Sequence, residues 1–125
     1  MKWISTITSI GAKALTTKDE MVILFGPNAN AELAAVSIIQ QFDRETPVSQ
    51  FVFKAGDTLT VAGTTFTASY VGTMVAANMK ALGHATLIFN TAVPRKPLLN
   101  SIYLSHPDQV QPEFRVDDEL VFEHR

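Results

Sequence analysis

Gly, Pro and charged turns interrupt the apolar residues of this chain so often that only short elements fit between them, and this limits the fold before any motif is considered. Lys2 to Ser9 sets Trp3, Ser5, Ile7 and Ser9 against Ile4, Thr6, Thr8 and Ile10, with β-branched residues throughout, until Gly11 ends the pattern. Such period-two alternation predicts a strand. Met21 to Phe25 is a continuous apolar run between Lys18-Asp19-Glu20 and Gly26-Pro27-Asn28, as in a short strand buried on both faces. Ala31 to Ala35 tolerates a helix, but β-branching in Val36 to Phe42 favours extension, so this second half reads as a strand. Asp43 to Val48 is charged, contains Pro47, and reads as loop or edge.

Phe51 to Phe53 leads through Lys54-Ala55-Gly56-Asp57 into Leu59 and Val61, which alternate with Thr58 and Thr60. Ala62-Gly63-Thr64 supplies a turn and Phe66 to Val71 returns, which predicts a hairpin. Thr73 to Leu82 is the one helix the pattern supports: Val75, Met79 and Leu82 share a face and Lys80 points away. Thr73 is placed to cap its first turn and Gly83 to take the left-handed closing position. His84 to Phe89, Ser101 to Leu104 and Glu119 to Glu123 read as the remaining strands, separated by loops carrying Pro94, Pro97, Pro107 and Pro112. About eight short strands and one main helix near residues 73–82 predict an all-β barrel or sandwich with a helical insertion. At 125 residues, one domain over 1–125 is expected.

Composition narrows the chemistry. Hydrophobic residues make up 46% and charged residues 18%, and no stretch approaches the ~18–20 apolar residues of a membrane span. Met1 to Leu15 lacks the continuous apolar run of a signal peptide, so a cytoplasmic location is expected. The net charge is −2 with scattered basic residues, against the footprint of a nucleic-acid binder. The absence of cysteine removes disulfides, thiolate nucleophiles and thiolate metal sites together. His84, His106 and His124 are the only imidazoles; without His-x-His or His-x-x-x-His spacing they predict no metal site, and no cofactor is expected. Gly63-Thr-Thr and Gly72-Thr-Met lack the spacing of a phosphate-binding loop, and Gly-x-Ser-x-Gly does not occur. Asp117-Asp118-Glu119 reads as a charged turn, and Arg95-Lys96, between Pro94 and Pro97, as a small patch suited to an acidic partner.

Two segments carry a resemblance. Ser5 to Leu15 (STITSIGAKAL) and Val71 to Phe89 (VGTMVAANMKALGHATLIF) resemble the glucitol/sorbitol-specific IIA component of the bacterial phosphoenolpyruvate-dependent sugar phosphotransferase system. Gly56-Asp57-x-Leu59 and Glu119 to Glu123 extend the likeness over nearly the whole chain. The resemblance implies a small β-barrel and a phosphocarrier: a histidine nitrogen takes a phosphoryl group from the histidine-containing phosphocarrier protein and passes it to a cysteine of a IIB domain of the sugar transporter. The partners it implies are therefore that carrier and the IIB/IIC domains, met transiently. Exposed edge strands would also admit a homodimer.

In the family the phosphoacceptor lies in a His-x-His pair at the end of the strand after the Gly-Pro-type turn, and without a gap that pair falls on Gln40 and Phe42. Neither side chain can carry a phosphoramidate, and no histidine precedes position 84. His84, inside the matched block, is therefore the candidate phosphoacceptor or phosphoryl contact, with the alternative that it bonds the loose carbonyls of the helix end. Thr73 and Asn78 are candidate binding residues, Asn78 with the alternative of satisfying a neighbouring loop. His106 and His124 are expected to be solvated. Two functions stay open: a IIA phosphocarrier, or a phosphotransfer-deficient member acting as a binding or regulatory module.

Overall fold

A computed structural model describes residues 1–15 and 21–125. The charged segment Lys18-Asp19-Glu20 lies outside the described residues. Eight strands close into one mixed ring: β1 (Lys2–Ile10), β2 (Met21–Phe25), β3 (Ile38–Phe42), β4 (Thr58–Val61), β5 (Thr64–Val71), β6 (Ala85–Phe89), β7 (Ser101–Ser105) and β8 (Glu119–Glu123). Around the barrel they run β1-β3-β2-β6-β7-β5-β4-β8. The all-β expectation holds, as a barrel rather than a sandwich. Closure gives every strand of the ring a paired neighbour on both sides, so the free edge strands expected from the sequence are not found among the described residues.

Alternation sets what faces inward. Trp3, Ser5 and Ile7 of β1 are buried, as are Leu59 and Val61 of β4, Ala85, Leu87 and Phe89 of β6, and Leu120 and Phe122 of β8. The hairpin of β4 and β5 turns at Ala62 and Gly63, both at positive φ (48° and 83°), the backbone of the tight turns that follow strand twist. Phe51 and Phe53 are buried but stand outside any strand; they follow a short 3-10 turn at Val48–Gln50 and fill the barrel beside Phe122 and Trp3. β2 is less buried than its apolar run suggests: Ile23 is half-buried and Met21 exposed.

Two helices complete the fold. α1 (Ala31–Ala35) connects the parallel pair β2 and β3, and Asn30 caps it by accepting the Leu33 N–H at 2.8 Å. This cap tips Ala31 to Ala35 into a helix, and β3 starts only at Ile38. α2 (Val75–Leu82) crosses from the end of β5 to the start of β6, burying Val75 and Met79. Thr73 does not cap it. Met74 occupies the N-cap position without a side-chain hydrogen bond, and Leu99 O and Gly72 O instead accept the N–H groups of Met74 and Val75. Gly83 closes the helix at φ 62°, as the sequence predicts.

Candidate functional site

The strand directions bring the ends of β3, β5 and β8 and the starts of β1, β4 and β6 to the barrel end that α2 covers. Gln40, Phe42, Thr73, Asn78, His84 and His124 all lie on or beside elements at this end. His106, following β7, lies at the other.

Gln40 sits on the inward face of β3, flanked at i−2 and i+2 by Ile38 and Phe42 of the core, and is fully buried. Ser5 Oγ donates to its Oε1 at 2.6 Å, while its Nε2 donates to Gly83 O at 3.0 Å and to Met79 Sδ at 3.6 Å. Its amide thus joins β1, β3 and the end of α2. It forms the floor of a cavity of about 240 Å³ between Gly26, Pro27, Phe42, Met79 and Gly83. A buried amide with both ends bonded holds the helix end in place and offers no nucleophile. Phe42 is half-buried, its ring 6.0 Å from Phe122 and 6.2 Å from Phe51.

His84 is half-buried on the outside of the ring, its imidazole tilted 33° against Phe25 with ring centroids 4.6 Å apart. Its imidazole does not serve the helix end. The backbone and the Gln40 amide do that: Gly83 N–H goes to Met79 O, His84 N–H to Asn78 O, Gly26 N–H to Leu82 O, and Gln40 Nε2 to Gly83 O. The ring instead meets Leu24 O through Nδ1 at 3.0 Å. A carbonyl only accepts, so Nδ1 carries the hydrogen and the lone pair of the neutral ring lies on Nε2. Gly83 permits this placement, since a Cβ there would stand 2.9 Å from Gly26 Cα. Asn78 enters the closing turn through its backbone carbonyl, and Thr73 is exposed.

The other imidazoles are more engaged than expected. His106 is half-buried, edge-on to Phe66 at 5.9 Å, and its Nδ1 accepts the Asp108 N–H at 3.0 Å. Its neutral ring is therefore protonated on Nε2, the tautomer opposite to that of His84. His124 donates from Nδ1 to Asp57 Oδ2 at 2.6 Å, with 29% of its side chain exposed against 6% for Asp57. Burial pushes the Asp57 carboxyl up, but the His124 bond, the Lys54 and Arg125 N–H groups and the imidazole charge outweigh it and hold the group below its usual range. Sequence reasoning missed this pair because 67 residues separate its members. Among the described residues no group of three or more His, Cys, Asp or Glu side chains is arranged to hold a metal.

A closed mixed barrel, lidded at one end by a single helix that packs over a buried side chain of β3, defines the class. The overall fold is similar to the crystal structure of a PTS system IIA component from Enterococcus faecalis V583, with a TM-score of 0.83 and 30% identity over 94% of this chain and 96% of that one. The family model described as the PTS system glucitol/sorbitol-specific IIA component matches residues 2–121, and the chain belongs to that family. Among curated proteins, none matches.

Proposed function

We propose that this chain is a phosphocarrier of a glucitol/sorbitol-type phosphotransferase system, acting as one domain over 1–125 in the cytoplasm, with His84 as its acceptor. In this reading Gln40 and Phe42 stand where relatives carry the His-x-His pair, and the Nε2 lone pair of His84 takes over. The observation that carries it is the Nδ1 hydrogen bond to Leu24 O, which fixes the ring and its tautomer while the backbone and Gln40 relieve it of capping α2.

The lone pair of Nε2 attacks phosphorus of a phosphohistidine on the carrier protein, and the old P–N bond leaves with its electron pair on the donor nitrogen. Nδ1 keeps its proton throughout, in the hydrogen bond to Leu24 O. Attack on the same phosphorus by a cysteine thiolate of a IIB domain then returns the electron pair to Nε2. Positioning supplies most of what such a transfer requires. The partners implied by family membership are thus the histidine-containing phosphocarrier protein and the IIB/IIC domains.

A second reading, favoured by the complete bonding of Gln40, is a phosphotransfer-deficient member that binds or regulates a transporter or another protein. Incubation with phosphoenolpyruvate, enzyme I and the phosphocarrier protein, followed by peptide mapping that preserves phosphohistidine, separates the two. The proposal expects phosphate on His84 and none there in His84→Ala. Labelling of the phosphocarrier with His84 unmodified would refute it and leave the second reading.

A further inference from the structure

We infer that Asp57 and His124 form a second imidazole site, prepared for phosphorylation on His124 Nε2 by a phosphoramidate donor. The carboxylate accepts from Nδ1 at 2.6 Å and is itself buried, so it cannot swing to solvent and take the ring with it. Three donors converge on it: the imidazole, the Lys54 N–H at 2.7 Å to the same oxygen, and the Arg125 N–H at 3.4 Å to the other. With Nδ1 committed as donor, the neutral ring has its lone pair on Nε2. The carboxylate on the far nitrogen also fixes the orientation of the ring, and with it the direction of that lone pair.

The backbone fixes the ring further. His124 N–H donates to Met1 O at 2.8 Å, and Glu123 pairs with both Lys2 and Thr58. The side chain remains 29% exposed, open to a donor. Lys54 and Arg125, which supply the two N–H groups, are exposed cations suited to a dianionic phosphoryl group, with Glu123 the acid opposing them. His124 also lies at the barrel end covered by α2, four strands round the ring from His84 in either direction. His106, at the far end, uses Nδ1 to accept the Asp108 N–H instead of donating to a carboxylate.

The transfer balances without a further reactant. The Nε2 lone pair forms the new P–N bond, the donor's P–N bond breaks with its electrons on the donor nitrogen, and Nδ1 keeps its proton. The positive charge left on the phosphorylated ring is neutralised by Asp57. The inference does not depend on His84 accepting phosphate.

Potassium phosphoramidate and the full chain test it, with phosphate mapped residue by residue over time. His124 should be labelled at least about tenfold faster than His106, and Asp57→Asn should slow His124 by about tenfold or more while leaving His106 unchanged. Equal rates at His124 and His106, or an unchanged rate in folded Asp57→Asn, would overturn the inference. Should Asp57→Asn not fold, the wild-type protein decides through the ¹⁵N spectrum of its histidines. A His124 ring protonated on Nδ1, with ³¹P coupling to Nε2 after treatment, supports the site; the opposite tautomer, or no coupling, overturns it. Because labels are assigned by position, failure at His84 and failure at His124 are read separately.

Discussion

Replacing Gln40 by Glu changes one NH2 group for one oxygen in a fully buried side chain, and so tests what the amide does without altering its size. In the wild type Nε2 donates to Gly83 O at 3.0 Å. A carboxylate would set two acceptors against each other there, whereas a protonated carboxyl restores the donor. Burial and the facing carbonyl should raise the folded-state pKa of the new group by about 2–3 units, and each unit is about 1.36 kcal/mol. A raised folded pKa means the carboxyl binds its proton more tightly when folded. Stability is therefore near wild type below the unfolded value of about 4.3 and is lost as pH rises to the folded value, after which it is constant. The expected loss is about 3–4 kcal/mol between pH 4 and pH 7.5, or about 10–15 °C in Tm for a chain of this length. Trp3, the one tryptophan and fully buried, reports unfolding in urea at each pH. The quantity to read is Q40E minus wild type, which cancels the other carboxylates. A difference that does not vary with pH would refute the role of Gln40 as donor to the helix end.

Three further outcomes follow from the same contacts. Asp57 has a depressed folded pKa, so its stabilisation is present above the unfolded value of 3.8 and is lost as pH falls through the folded one. The urea midpoints of wild type and Asp57→Asn should accordingly converge on lowering the pH from 6 to 2; a constant gap would contradict the assignment. Gly83→Ala places a Cβ at φ 62° and 2.9 Å from Gly26 Cα, costing at least about 1–2 kcal/mol by thermal denaturation and shifting the His84 ring resonances. Thr73→Ala should change stability by less than about 0.5 kcal/mol, since Thr73 makes no cap; a loss of ~1 kcal/mol would indicate one.

Local pattern carried much of the architecture. The β-branched alternation of Lys2 to Ser9, the hairpin turn at Ala62-Gly63 and the stop at Gly83 are set by neighbours in sequence, and each appears where the residues place it. Thr73 failed because the first turn of α2 borrows carbonyls from residues 72 and 99, the latter from a loop that no helix rule contains. α1 was only half legible, although Asn30 three residues before Leu33 was the available signal. Position 84 was a candidate through the matched block, but the tautomer of its ring depends on Leu24, 60 residues away. The inward direction of Gln40 was readable from Ile38 and Phe42 at two-residue spacing; its partners Ser5 and Gly83 required the closed ring. The pairing of His124 with Asp57 likewise exists only once β8 lies beside β4.

The central claim is that phosphate enters through the Nε2 lone pair of His84. Protein labelled with ¹⁵N-histidine and phosphorylated by phosphoenolpyruvate, enzyme I and the phosphocarrier protein tests it directly. The account predicts ³¹P coupling to Nε2 of His84, a proton retained on Nδ1, and no coupling at that position in His84→Ala. A fully labelled phosphocarrier beside an unmodified His84, or coupling to His84 Nδ1, would contradict it.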